Sequence, residues 1–121
     1  MVIRAPAALL LLAAGPVAAL DGAALRHYAA GENAESHGAL EMAGGHYGKA
    51  LALLEAEGLG GSEDAARLLA DKARIAERLG DRARAADLLA RSLAITEAAV
   101  GRDHPDWTTR AARLEALGGR P

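Results

Sequence analysis

Apolar residues recur along this chain at the three- and four-residue spacing of amphipathic helices, and glycines interrupt that spacing at intervals. The most regular stretch is residues 62–101. Ser62 is a residue type that caps helices, and the two acidic residues after it carry the charge that a helix start favours. The first helical period ends at Gly80, and a second runs over Asp81–Gly101. The spacing therefore predicts two antiparallel helices joined by a very short turn.

A weaker copy of this hairpin precedes it. The predicted elements are a short helix at Ala23–Ala30, a helix over Asn33–Ala43, a turn at Gly44 and Gly45, and a second helix over Tyr47–Glu57. β-Branched and aromatic residues are sparse after residue 20, so the intrinsic preference is helical nearly throughout. The predicted fold class is all-α, built from antiparallel helical hairpins.

Residues 1–19 have the three-part layout of a secretory signal peptide. Arg4 precedes an uncharged apolar run, Ala5–Ala14, Pro16 interrupts that run, and small residues lead up to Ala19. We expect cleavage after Ala19, a domain of residues 20–121, and a periplasmic or secreted protein. Because a spanning helix needs about 20 apolar residues, no stable membrane insertion is expected after cleavage. The alternative is that this segment forms a buried first helix of the domain.

Composition excludes several classes of function. The formal net charge is −2 and the pI is about 6.1, so the chain lacks the basic field that attracts nucleic acid. Because the sequence contains no cysteine, disulfides, thiolate metal sites and a cysteine nucleophile are excluded. Phe is absent, so Ala and Leu must build the core. The preference for Arg over Lys, with abundant Ala and Gly, suggests a GC-rich bacterial genome.

The two predicted hairpins repeat at a fixed offset. The pairs that lie 35 residues apart are Gly45 and Gly80, Ala50 and Ala85, and Leu54 and Leu89. This offset is close to the period of about 34 residues of tetratricopeptide repeats. Residues 65–106 resemble that family, and in particular the long-repeat variety of kinesin light chains. The residues that carry this likeness are Leu93-Ala94-Ile95, Gly101 and Asp103-His104-Pro105-Asp106.

The resemblance implies a short solenoid of about two repeats and a closing helix. In the second hairpin the family's small positions fall on Ala73, Ala85 and Ser92, its turn glycine on Gly80, and its large apolar position on Leu89. Their equivalents in the first hairpin are expected to be Gly38, Gly45, Ala50, Leu54 and Glu57.

The resemblance also implies a non-enzymatic module that binds a protein or peptide partner, without a cofactor, on a concave face formed by the first helices of the hairpins. The residues expected to project there are Arg67, Asp71, Arg74, Glu77 and Arg78. Flanking positions would be Glu35, Ala39 and Met42 on one side and Thr108, Ala112 and Glu115 on the other. A charged helix face that is merely solvated has the same pattern, so that alternative stays open.

A second hypothesis is a small periplasmic metal-binding or enzymatic bundle. His37 and Glu41 are four residues apart and could share a helix face, with His46 nearby. Zinc needs three or four converging ligands, and the H-E-x-x-H pattern of catalytic zinc helices does not occur. Nucleophile-elbow and phosphate-loop patterns are also absent, which favours surface histidines at chance spacing.

Self-association is a further expectation. Solenoids generally need three or more repeats to bury a continuous core, and this chain offers two hairpins and one further helix. Leu114 and Leu117 of that helix are expected to lie where the next repeat would stack. A second copy covering this face would produce a homo-oligomer.

The signal-peptide interpretation is tested by the mass of the exported protein. We expect the intact mass to correspond to a chain that begins at Leu20, because the small residues before it suit signal peptidase. Retention of residues 1–19 in the folded, exported protein would contradict the interpretation.

Overall fold

The computed structural model describes residues 20–121, which form five α-helices and no strands. The helices are α1 (Gly22–Ser36), α2 (Leu40–Ala56), α3 (Glu63–Arg78), α4 (Arg82–Val100) and α5 (Pro105–Ala116). The predicted signal peptide lies outside the described residues. Within residues 20–121, no helix combines the length and the apolar character that crossing a bilayer requires.

The helices form two hairpins and a closing helix. α1 packs along α2, and α3 packs along α4. α2 also contacts α3, and α4 contacts α5, so each helix packs against its neighbours in the chain. Leucines and alanines fill the core, among which Leu54, Leu68, Leu69 and Leu89 are almost inaccessible to solvent. The predicted all-α stack of hairpins is confirmed.

Polar caps begin the last three helices. The Ser62 hydroxyl accepts a hydrogen bond from the backbone N–H of Ala65 at 3.2 Å, and the Asp81 carboxylate accepts one from the N–H of Arg84 at 3.1 Å. At the start of α5, the His104 ring accepts from the N–H of Asp106 at 3.1 Å. These bonds satisfy backbone donors that have no partner inside the helix.

The first hairpin differs from the prediction. α1 continues to Ser36, the turn lies at Gly38 with φ of +77°, and α2 passes through Gly44 and Gly45 without a break. A glycine inside a helix costs only about 1 kcal/mol relative to alanine. Burying Tyr47 and Leu54 on one face of a continuous α2 stabilises the helix by more than that. The prediction of a turn at Gly44 and Gly45 was therefore wrong.

This correction changes the repeat length. The turn glycines Gly38 and Gly80, each with positive φ, lie 42 residues apart rather than 35. At this offset the first hairpin repeats the buried positions of the second. The family positions of the first hairpin are therefore Gly31, Gly38, Ala43, Tyr47 and Ala50. The prediction had placed them, in the same order, at Gly38, Gly45, Ala50, Leu54 and Glu57.

Gly31 permits a close approach between α1 and α2. The Tyr47 ring lies against it, such that a Cβ atom at position 31 would be 2.6 Å from the ring carbon Cε1. Tyr47 is 1% exposed, so the ring has no free space into which to move. Gly31 is thus the small residue that allows a large one across the hairpin.

The closing helix does not leave its leucines open. Leu114 is 2% exposed, and Leu117 packs partly buried against the core. Leu114 lies beneath the turn at Gly119, which folds over it. The expectation that Leu114 and Leu117 form an open face for a second copy was therefore wrong. The chain after α5 covers Leu114, and Leu117 packs against the core.

Two glycine substitutions test this register. Gly31→Ala should lower the free energy of unfolding by about 1–3 kcal/mol, because its methyl group overlaps the Tyr47 ring. Gly45→Ala should leave it unchanged or raise it by up to about 1 kcal/mol, because nothing lies within 4 Å of that position and alanine favours the helix. Thermal and urea unfolding followed by circular dichroism measures the stability of both variants. Destabilisation by Gly45→Ala would instead support a turn at Gly45.

Candidate partner-binding groove

Three helices, α1, α3 and α5, line a continuous groove. One depression lies between α1 and α3, with a volume of about 450 Å³, and a second of about 240 Å³ lies between α3 and α5. Arg67, Asp71 and Arg74 of α3 line both depressions, which makes α3 the central wall. This surface, named the α1–α3–α5 groove, is the face that the sequence analysis assigned to first helices.

The predicted site residues divide into two sets. Arg67, Asp71, Arg74 and Arg78 line the groove, whereas Glu77 is exposed and does not line either depression. Met42 lies on α2 rather than on a first helix, and it lines a separate depression beside Leu79. Its misplacement follows directly from the wrong helix boundaries of the first hairpin.

Glu35 is the hub of the α1–α3 side. Its carboxylate accepts two hydrogen bonds from Arg74, at 2.7 and 2.8 Å, and one from the Tyr47 hydroxyl at 2.8 Å. Arg78 adds a longer ion pair at 3.6 Å. The Arg74 hydrogen bonds hold the pKa of Glu35 below its ordinary value, although burial opposes them. Burial, and then the hydrogen bond to Glu35, raise the pKa of the Tyr47 hydroxyl.

Two tyrosines form the floor of this side. The rings of Tyr28 and Tyr47 lie 5.8 Å apart, and both side chains are almost fully buried. Arg67 donates from Nε to the Tyr28 hydroxyl at 3.0 Å, with its guanidinium 5.9 Å from the ring centroid. The sequence analysis did not select either tyrosine. An alignment of the two hairpins at an offset of 42 residues pairs Tyr47 with the buried Leu89, and would have found Tyr47.

Asp71 is a buried carboxylate in the groove wall. Its side chain is 10% exposed, and Oδ1 accepts a hydrogen bond from Arg74 at 2.9 Å. The other oxygen, Oδ2, is buried and has no hydrogen-bond partner among the described residues. Burial raises the pKa of Asp71, while Arg74 and Arg67 pull it down. The groove therefore contains an acceptor that the described part of the chain leaves unused.

The α5 side contributes two arginines that the sequence analysis did not select. Arg110 donates to Glu63 at 2.7 Å and to Thr96 at 2.6 Å, so its guanidinium is held in place. Arg113 is half-buried and forms no ion pair or hydrogen bond among residues 20–121. Burial, followed by the nearby Arg74, lowers the pKa of Arg113.

The α5 flank was also misassigned by one residue. The lining residues there are Asp106, Thr109, Arg110 and Arg113, instead of the expected Thr108, Ala112 and Glu115. α5 is twelve residues long, shorter than the sixteen of α3, so positions on the two helices do not correspond when the helix ends are matched.

The alternative metal trio does not assemble. The His46 ring stacks on His27 with Nδ1 atoms 3.2 Å apart, whereas His37 lies 2.8 Å from the carbonyl of Asn33 in its own helix. In the described range, no three His, Asp or Glu side chains converge as metal ligands would. His37, Glu41 and His46 are therefore separate surface residues in this fold.

Comparison with known proteins identifies the class. Residues 65–106 match the family model of the tetratricopeptide repeat, and this stretch covers most of α3, all of α4 and the first residues of α5. The chain therefore carries a repeat of the tetratricopeptide family, as its sequence predicted. The 42-residue spacing of the turn glycines is consistent with the long-repeat variety. No curated protein matches the chain.

Replacing the hub carboxylate tests how the groove is held. Glu35→Gln should lower the free energy of unfolding at pH 7 by about 2 kcal/mol, because charge-assisted bonds from Arg74 are lost. Glu57→Gln, an exposed glutamate at the end of α2, is the matched control and should change little.

The pH dependence of that difference has a defined sign. Because the folded-state pKa of Glu35 is lowered, its stabilisation is present above its ordinary pKa of 4.5 and is lost as the pH falls through the folded value. The gap between wild type and Glu35→Gln should therefore close on acidification below about pH 4.5. Asp71, whose pKa is raised, contributes with the opposite sign, and the variant removes the Glu35 charge that is one cause of that rise. A gap that is constant with pH would show that the carboxylate charge contributes nothing.

Proposed function

We propose that this chain is an exported, non-enzymatic module that binds an extended segment of a protein partner in the α1–α3–α5 groove. Tetratricopeptide repeats serve as protein–protein interaction modules, and the groove is where their first helices face a partner. The observation that carries the proposal is Arg113, a half-buried guanidinium that lines the groove beside Asp71 and forms no ion pair or hydrogen bond among residues 20–121.

A peptide segment has the acceptor that Arg113 lacks. A carbonyl or a carboxylate can accept from its guanidinium, and a hydrogen bond to a charged group is worth about 1.5–3 kcal/mol. The fixed side chains around it, Arg74 and Arg110, are already held by Glu35 and Glu63. Preorganisation of this kind lowers the entropic cost of binding.

Export and the absence of catalysis rest on separate grounds. The layout of residues 1–19 supports a signal peptide, and hence a periplasmic or secreted location for the partner. The family is made up mainly of binding modules, and the histidines do not form a ligand set in the described part of the chain.

Capture from the native envelope fraction tests the groove. The wild-type protein, immobilised, should retain a specific protein that mass spectrometry identifies. Arg113→Gln should weaken its binding about tenfold, the loss expected for one charge-assisted hydrogen bond. Arg26→Gln, an exposed arginine of α1 that does not line the groove, is the control and should retain the partner fully. Equal retention by both variants would place the interaction elsewhere.

The same groove could be filled by a second copy of this chain, which is the remaining form of the homo-oligomer hypothesis. Sedimentation equilibrium across micromolar concentrations separates the two cases. A monomer at every concentration leaves the groove to another protein, whereas a dimer that Arg113→Gln dissociates assigns it to a second copy.

A further inference from the structure

A second concave surface lies away from the groove. It is a crevice of about 570 Å³ between α2 and the turn that joins α3 to α4, and it shares no lining residue with the α1–α3–α5 groove. Gly44, Gly45 and Gly48 of α2 form one wall, and Lys72, Ile75 and Leu79 of α3 form the other. We name this surface the glycine crevice. Its volume lies within the range of about 300–1,000 Å³ typical of small-molecule sites.

Packing does not require these glycines. A Cβ atom at Gly45 would meet nothing within 4 Å, and one at Gly44 would make an ordinary contact of 3.4 Å with Ile75. At Gly48 the only close atom is the flexible Lys72 Nζ, at 3.2 Å. Three alanines would therefore fit, and each would favour the helix by up to about 1 kcal/mol. The three glycines therefore make α2 less stable than alanines would, and they leave an open space beside the helix.

The second hairpin shows what the same positions hold without a crevice. At the 42-residue offset, the equivalents of Gly44, Gly45 and Gly48 on α4 are Ala86, Asp87 and Ala90. The two alanines and the aspartate are ordinary helix residues, so at these three equivalent positions the glycines are on α2 and not on α4.

Two cations, Lys72 and Arg84, line this space, and neither side chain forms an ion pair or hydrogen bond within residues 20–121. Lys72 Nζ is half-buried and forms no ion pair or hydrogen bond among the described residues. Burial lowers the pKa of Lys72, and the neighbouring Arg84 and Arg91 lower it further. Two acids also line the crevice: Asp81, which caps α4, and Glu41, which is exposed. Glu55 pairs with Arg91 at 3.6 Å and opposes the lowering of the Lys72 pKa.

The apolar part of the crevice continues onto the surface. Leu79 is 49% exposed and Met42 is 61% exposed, and both line the adjoining depression at the hairpin turns together with Leu40. At one end of the crevice Lys72 Nζ lies beside Gly48 with Arg84 nearby, and at the other end the apolar lining residues are Leu40 and Leu79. Glu41 and Asp81 complete the charged lining. A ligand that matches both ends carries an anion at one end and an aliphatic chain at the other.

We propose that the glycine crevice binds an aliphatic monocarboxylate, with the chain against the bare backbone of Gly44, Gly45 and Gly48 and the carboxylate on Lys72. The open glycines accommodate the chain, and the unpaired ammonium accepts the charge. This site is independent of the partner bound in the groove, so neither proposal depends on the other.

Titration of the ¹⁵N-labelled protein with decanoate, below its micelle-forming concentration, tests the site by NMR. Saturable shifts are expected at the amides of Gly44, Gly45 and Gly48. Lys72→Met keeps the aliphatic stem and should weaken decanoate binding about tenfold, whereas Lys49→Met, which changes the chain's other lysine on exposed α2 surface, should not. Decanol should bind more weakly than decanoate and be insensitive to Lys72→Met.

A second variant separates binding from folding. Gly45→Ala with Gly48→Ala fills the crevice while favouring the helix, so decanoate affinity should fall about tenfold as the melting temperature holds or rises. The proposal is overturned by absent or unsaturable shifts, by shifts centred on the groove, by equal binding of decanol, or by equal effects of the two lysine substitutions. Retained affinity in the double alanine variant would also overturn it.

Discussion

The Glu35 carboxylate is the interaction on which the arrangement of the helices depends. It lies on α1, accepts from Tyr47 of α2, and accepts twice from Arg74 of α3, so a single side chain links three helices. Arg74 in turn holds Asp71, which places the buried acid in the groove wall. Charged groups this close to the core are favourable only when their hydrogen bonds are complete, and Glu35 meets that condition. The spacing of the two hairpins and the shape of the groove both follow from it.

Small residues allow the helices to come close enough for that network to form. With no Phe in the sequence, burial depends on close contact between Ala, Leu and a few larger side chains. In the first hairpin, Gly31 lets the Tyr47 ring lie directly against α1. In the second hairpin, Ser92 is fully buried and donates to the carbonyl of Ala66 at 2.6 Å, which joins α4 to α3. A larger residue at either site would separate the hairpin.

The two concave surfaces differ in how their charges are arranged. The groove has many charged groups that are mostly paired with one another; among the described residues, the Arg113 guanidinium is an exception. The lining of the glycine crevice combines two acids and two cations with glycines and apolar side chains, and its ammonium, Lys72, is half-buried. We therefore propose different ligands for the two surfaces, a peptide segment for the groove and an aliphatic anion for the crevice.

The sequence by itself determined the helical class, the second hairpin and the tetratricopeptide repeat of residues 65–106, because these depend on local order. Ser62 and Asp81 cap helices through their own backbone neighbours, and Gly80 ends one through its own φ, so composition and spacing suffice there. Of the five α3 residues expected on the concave face, four line the groove and Glu77 does not, since a helix of known start presents a nearly known face.

Only the tertiary structure decided the first hairpin. Gly44 and Gly45 have the local properties of a turn, but burial of the Tyr47 stripe against α1 and α3 keeps α2 continuous, and Gly38 becomes the turn instead. That choice set the repeat at 42 residues, moved Met42 off the groove and opened the glycine crevice. The Glu35 hub was equally beyond local reasoning, because it joins residues 12 and 39 positions apart in the chain. Contacts of that range form only when the packed hairpins bring them together.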